Sequence, residues 1–325
     1  MRAIWYDRQG PPADVLQLGD LPTPEPGPAE VRVRVHASGV NPSDTYGRSG
    51  RTGPMPFPRV IPHQDGAGVI DAVGAGVPDE RVGERVWVFE ATWNRWSGTA
   101  AESSVVPANR AVRLPEPMSF AEGACVGVPV LTAHRAVFAG GPVSGKSVLV
   151  TGGAGSVGRY AVQWARWGGA QVVLATVSSE QKADLARSAG ADHVIDYRRE
   201  DVAQRVRDLV GKVDHIAEVD VGGNLPVTLA ILAQHGSLAG YASRGNPEPQ
   251  LAYRAFMSLN ATLYGVLVYS MPEAAKHAAI DDLARAADRL THNIAARYPL
   301  ERTAEAHEAV ESGSLLGHAV IDLTT

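Results

Sequence analysis

Residues 151–158 read TGGAGSVG, and no other stretch limits the fold of this chain so tightly. Gly153, Gly155, Ser156, Val157 and Gly158 lie in a full G-x-G-x-x-G. The motif follows an apolar run, SVLV, and opens SVGRYAVQWARW, where Val157, Tyr160, Ala161 and Trp164 recur at helical spacing on one face. Between a strand and a helix, glycines let the backbone come close to a pyrophosphate, and the helix N-terminus stabilises its charge. A glycine-rich turn with no ligand is the competing reading. The strand–helix setting favours a dinucleotide.

The downstream pattern agrees. QVVLAT, HVIDY, VDHIAEVD, GSLAGYA and ATLYGVLVY alternate with helical segments such as SEQKADLARSAGA and REDVAQRVRDLVG. With SVLVTG they make six strands, which predicts an α/β fold with a six-stranded, doubly wound parallel sheet of the Rossmann type. The first third differs: VRVRVHASGV, GAGVIDAVGAGV and ERVWVFEA carry period-two patterns bounded by Gly and Pro, as in an antiparallel barrel-like domain. A helix is expected from about Pro272 to Asn293, and the lone last strand, HAVIDL, is expected to rejoin the first domain. The expected division is 1–123 with 268–325 as the barrel-like substrate domain, and 124–267 as the dinucleotide domain.

The 325 residues suit two domains, and 45% hydrophobic with 20% charged residues is the balance of a globular protein. A net charge of −5 without a run of like charges argues against nucleic-acid and anionic-membrane partners. No apolar stretch is long enough to span a bilayer, and the start lacks a signal-peptide pattern. One cysteine, Cys125, forbids an internal disulfide and a multi-cysteine metal cluster. A reducing cytoplasmic setting is the simplest expectation.

An NAD site places an acid about 20 residues past the last glycine to bind the ribose hydroxyls. Ser178 stands there, with Ser179 and Lys182 close by. Hydroxyls and a cation suit a 2′-phosphate, so NADPH is expected; an ordinary solvated lysine is the alternative for Lys182. Tyr-x-x-x-Lys, the acid pair of short-chain dehydrogenases, occurs nowhere in the chain.

GVNPSDTYGRSG, VGERVW, LTAHRAV, VTGGAGSVGRYAVQWAR and AGADHVIDYRREDV resemble, in order, the medium-chain dehydrogenase/reductase superfamily, in its zinc-free quinone oxidoreductase (zeta-crystallin-like) branch. The resemblance implies a GroES-like β-barrel catalytic domain beside the Rossmann domain. It places Asn41, Pro42 and Tyr46 next to nicotinamide and substrate, with Asn41 and Tyr46 the catalytic candidates, and Thr132 near the nicotinamide. It also assigns Gly155, Ser156 and Val157 to pyrophosphate, and Ser178, Lys182 and Tyr197 to the adenosine phosphate. Gly240, Tyr241 and Ser243, with Leu263, Tyr264 and Gly265, fall to the nicotinamide side. His63, Trp93, Trp96 and His134 are expected in the substrate pocket. His134 and the tryptophan loop depart from the branch's pattern, and His63 is otherwise a plain turn residue.

In the zinc members a Gly-His-Glu sequence supplies a metal ligand. Aligning IPHQDGAG on it puts His63 at the glycine, Gln64 at the ligand and Asp65 at the acid, while Asn41 and about Val128 replace the cysteines. Zinc needs three or four N, S or carboxylate ligands converging, so no metal is expected. Without a Lewis acid, hydride transfer still suits an activated acceptor, a quinone or an alkene conjugated to a carbonyl. The expected function is therefore a zinc-independent, NADPH-dependent reductase of such small-molecule acceptors. The rivals are a 2-enoyl, alkenal or conjugated-acid double-bond reductase and a non-catalytic NADPH-binding protein. Asp44 reads as a helix cap or an ion-pair partner. ATLYGVLVY, expected at a sheet edge, predicts a homodimer.

Overall fold

The computed structural model describes residues 1–323. They divide into two compact units, Met1–Val128 with the stretch from His292 onward, and Pro129–Thr291. In the first, β1 (Arg2–Trp5) and β2 (Gln17–Asp20) form an antiparallel pair. The main sheet is built on β3 (Glu30–Val40), with β4 (Asp65–Val73), β5 (Arg85–Val88), β6 (Ser103–Pro107) and β7 (Ala111–Arg113). β3 pairs with both β4 and β6, and its alternating Val31, Val33, Val35 and Ala37 are buried. Two register irregularities against β4, at Arg32/Val33 and Val35/Ala37, bend the pair as β-bulges do.

In the second unit, β8 (Ser147–Val150), β9 (Val172–Val177), β10 (His193–Asp196), β11 (Val213–Glu218), β12 (Leu232–Gly240) and β13 (Thr262–Gly265) are all parallel. Their order is β10-β9-β8-β11-β12-β13, the dinucleotide-binding arrangement with its switch point between β8 and β11. The helix Ser156–Trp167 buries Tyr160, Ala161 and Trp164 of the expected face, while Val157, in its first turn, is only half-buried.

The chain rejoins the first unit with β14 (Ile294–Pro299) and β15 (His318–Asp322), β15 lying antiparallel to β3 as expected of HAVIDL. The return comes at His292, not 268, because the helix Glu273–Ala286 belongs to the dinucleotide unit. There it buries Ala279, Leu283 and Ala286, and its Asp282 meets His134. The same helix ends at Ala286, short of Asn293. Thr291 is held instead by Gln163, whose Oε1 accepts its backbone N–H at 2.7 Å, and by Arg159, which donates to its carbonyl at 2.9 Å.

Candidate functional site

The glycines of residues 152–158 have separate tasks. A Cβ on Gly158 would lie 2.1 Å from the carbonyl oxygen of Gly152, and one on Gly153 would lie 2.6 Å from the Cβ of Ala175. Both are needed to pack helix against strand. A Cβ on Gly155 would meet only Gly152 O, at 3.4 Å, an ordinary contact. Its lack of a side chain serves the outward face, where the N-terminus of the helix it caps offers unpaired N–H groups. At the end of β9, Lys182 Nζ donates to Ser178 Oγ at 3.1 Å, so a cation and a hydroxyl stand together where a carboxylate would bind ribose in an NAD site. These residues fit a phosphorylated dinucleotide.

The other expected cofactor residues lie on this unit with mixed exposure. Tyr197 is half exposed, its backbone N–H on Val177 O. Ser243 Oγ accepts from Gly222 N and donates to Asn246 O. The Tyr241 hydroxyl is buried, and burial with the nearby Glu218 raises its pKa. Gly240 ends β12, Leu263, Tyr264 and Gly265 lie on β13, and Thr132 is buried in the helix Gly127–Phe138. His134 is buried on that same helix. Its Nε2 meets Asp282 Oδ2 at 2.8 Å and its ring packs edge-on to Trp164, which anchors it within the unit.

In the first unit, Asn41 caps the helix Pro42–Ser49, with Pro42 at its first position and Asp44 in its first turn. Tyr46 is partly exposed on this helix, with the Arg51 guanidinium 4.3 Å over its ring. Asn41 is buried, and its Nδ2 donates to Asp65 Oδ2 at 2.8 Å. Asp44 accepts from Asn41 N and Gln64 N, and burial pushes its carboxyl up to about 7. Burial raises the Asp65 carboxyl well above the usual range, and Asp44 adds to the rise. Trp93 and Trp96 are 39% and 43% exposed, so neither is a core filler.

The turn PHQD holds a network that the sequence did not disclose. Thr99 Oγ1 donates to Asp65 O at 2.6 Å, and Ser38 Oγ lies 2.7 Å from Thr99 Oγ1 and 2.8 Å from His63 Nδ1. His63 Nε2 lies 2.9 Å from His307 Nε2. All four side chains are fully buried. A carbonyl only accepts, so the Thr99 proton is committed to it, and Ser38 must donate to Thr99. His63 then carries its proton on Nδ1 and accepts at Nε2 from His307, whose Nδ1 is left as a buried acceptor without a partner. Both ring bonds hold His63 at φ +78°, an unusual conformation for a residue with a side chain. Burial lowers the His63 pKa to about 3; burial, with His63 and Arg48 adding, puts His307 well below its ordinary value.

Gln64, at the position of a zinc ligand, is engaged as well: its Oε1 accepts Thr92 N at 3.2 Å. Among the described residues, no group of three His, Cys, Asp or Glu side chains is placed to hold a metal ion.

The sequence matches two families, "Alcohol dehydrogenase GroES-like domain" over residues 27–116 and "Zinc-binding dehydrogenase" over 156–285. The quinone oxidoreductase of Homo sapiens is 35% identical over 320 residues, covering 97% of this chain and 95% of its own. A mycobacterial quinone oxidoreductase superposes with a TM-score of 0.88 at 32% identity, covering 99% of this chain and all of the other. The Escherichia coli quinone oxidoreductase complexed with NADPH gives 0.86 at 26% identity, with coverages of 99% and 100%.

Proposed function

We infer the function from one premise: this chain belongs to the medium-chain dehydrogenase/reductase superfamily, in its quinone oxidoreductase branch. It is an NADPH-dependent oxidoreductase, and we propose that it works without zinc on quinones or other conjugated carbonyl compounds. The observation that carries the metal-free reading is the PHQD turn. Both nitrogens of His63 and the carbonyl oxygen of the Gln64 side chain are engaged with protein groups, and the unpartnered Asp65 Oδ1 is a single oxygen packed on Gly127, short of the three or four converging ligands that zinc needs. A reductase without such assistance needs an acceptor that is already activated.

NADPH, when bound, supplies a hydride from its nicotinamide. The chain supplies orientation: Gly155 and the helix behind it receive pyrophosphate, and Lys182 with Ser178 receives the 2′-phosphate. The Tyr46 hydroxyl hydrogen-bonds the acceptor oxygen on which negative charge develops. Asn41 caps the helix that carries Tyr46.

We propose a homodimer that pairs along β13. That strand ends the six-stranded sheet, and Leu263 is 41%, Leu267 54%, Met257 57% and Tyr253 66% exposed on it and on the segments flanking it. The single cysteine, buried and unpaired, suits the reducing cytoplasm we assign. Among the described residues no helix is long and apolar enough to cross a membrane.

The test is loss of reduced-nicotinamide absorbance with chelator-treated protein, offered NADPH or NADH against planar quinones and against enones or enoates. Turnover by the treated protein is expected, fastest with NADPH and a quinone. A requirement for stoichiometric zinc refutes the metal-free reading, and preference for the enone panel moves the substrate to the double-bond reductase class.

A further inference from the structure

Asp65 begins β4, directly after the turn, and is fully buried. Its Oδ2 accepts two hydrogen bonds, from Asn41 Nδ2 at 2.8 Å and from Val128 N at 2.8 Å. The other oxygen, Oδ1, has no hydrogen-bond partner and packs on Gly127, where a Cβ would lie only 2.1 Å from it. A glycine at 127 is thus required by the carboxyl group. A proton on Oδ1 would leave both bonds to Oδ2 in place, so the arrangement needs an acceptor at Oδ2 rather than a charge.

Asn41 is the cap of the helix Pro42–Ser49, so the bond from Asp65 fixes where that helix starts and which way the cap's amide faces. Asp44, in the first turn, ties the same cap's backbone N–H and the N–H of Gln64 to one carboxyl group. The two acids therefore join this helix to the PHQD turn. Tyr46 lies on the helix, five residues beyond the cap.

We propose that Asp65 is the positioning residue of the site: by accepting from Asn41 it sets the N-terminal turn of the helix Pro42–Ser49 and so the placement of Tyr46. The proposal rests on the reductase reading above. Its reach follows from the sensitivity of hydride transfer to geometry, where a displacement of about 1 Å costs on the order of a hundredfold in rate.

The experiment compares Asp65→Ala and Asp65→Asn with wild type in steady-state reduction of a quinone, with folding checked by circular dichroism. Asp65→Ala is expected to lose roughly 10- to 100-fold in kcat while KM for NADPH stays within about twofold, because the residues assigned to its pyrophosphate and 2′-phosphate lie in the other unit. Asp65→Asn, which keeps an oxygen acceptor, is expected to restore most of the loss. In an Asn41→Ala background, Asp65→Ala is expected to add little further loss, since the bond is already cut. Undiminished kcat in folded Asp65→Ala, failure of Asp65→Asn to restore it, or fully additive losses would each overturn the proposal. Should Asp65→Ala not fold, Asp65→Ser, whose oxygen is too short to reach, takes its place with the same expectation. Wild-type silence towards every acceptor overturns the reductase reading instead. The bond is then read from the Asn41 side-chain amide by NMR, where an Nδ2 proton exchanging as fast as an exposed amide's overturns the positioning role.

Discussion

The His63–His307 contact gives the sharpest quantitative expectation. His307→Leu keeps a side chain of similar bulk but removes the donor to His63 Nε2, leaving a buried acceptor unmade. At pH 7 this costs about 1–3 kcal/mol. The pH dependence runs the other way. Both histidines are held neutral, His63 with its pKa lowered to about 3 and His307 well below its ordinary value. The unfolded chain takes up a proton on each near pH 6.5 while the folded chain does not, so stability falls as the pH drops below that value. From pH 7 to pH 5 each such histidine removes about 2 kcal/mol. His215, bonded to Ser237 and to Ala136 O and lowered by burial to about 4, adds a like share. The variant lacks one of these three shares. Its deficit relative to wild type is therefore expected to shrink by about 2 kcal/mol between pH 7 and pH 5, nearly closing. Urea unfolding at the two pH values measures this. His307→Gln, whose amide can donate to His63, should be the milder variant at pH 7. Long-range ¹H–¹⁵N spectra test the premise directly: a His63 carrying its proton on Nε2, or a deficit that does not change with pH, refutes the reasoning.

Three further outcomes follow from single contacts. Gly158→Ala forces a Cβ onto the Gly152 carbonyl, and overpacking of about 1–3 kcal/mol should weaken NADPH binding roughly 10- to 100-fold in fluorescence titration. Lys182→Ala removes a charged donor worth about 1.5–3 kcal/mol, so KM for NADPH should rise roughly 10- to 100-fold while KM for NADH stays put. Leu263→Lys places a charge on the β13 edge and should convert the proposed dimer to a monomer in light scattering without loss of NADPH binding.

The dinucleotide unit was legible because its signals are local. The inner parallel strands β8, β9 and β11 are almost wholly buried and read as apolar runs, and the half-buried β10 and exposed β13 were found from their place in the strand–helix alternation; all six occur where VLV, VVLAT, HVID and their successors stand. The returning strand HAVIDL was legible for the same reason. β14 and the helix Thr303–Ser312 were not, since β14 alternates exposed and half-buried residues and the helix has only a narrow buried face, at Thr303, Ala306 and His307. The helix Glu273–Ala286 falls in the dinucleotide unit, where its Asp282 packs on His134, 148 residues earlier, a contact that no local pattern signals.

Glycine and histidine explain why the site divides in the same way. A glycine in a tight turn acts through its own backbone, so Gly153 and Gly158 can be recognised from their neighbours in sequence. A buried histidine takes its role from whatever faces its two nitrogens. For His63 those partners are Ser38 and His307, the latter 244 residues away, and no local pattern announces either. Asn41 is a parallel case: NPSDTY marks it as a residue beside the chemistry, yet its amide is spent on Asp65. The expectation of a metal-free turn rested only on the residues at Asn41 and Gln64, where the zinc members carry ligands. Knowing what holds the turn needed the fold, because every buried nitrogen and oxygen there has to be satisfied. Here Ser38, Thr99 and His307 meet that demand for His63, and Asn41 and Val128 meet it for Asp65. The two groups that remain without partners, His307 Nδ1 and Asp65 Oδ1, are therefore where an added proton would go, and where substitutions will report most directly on how the turn is held.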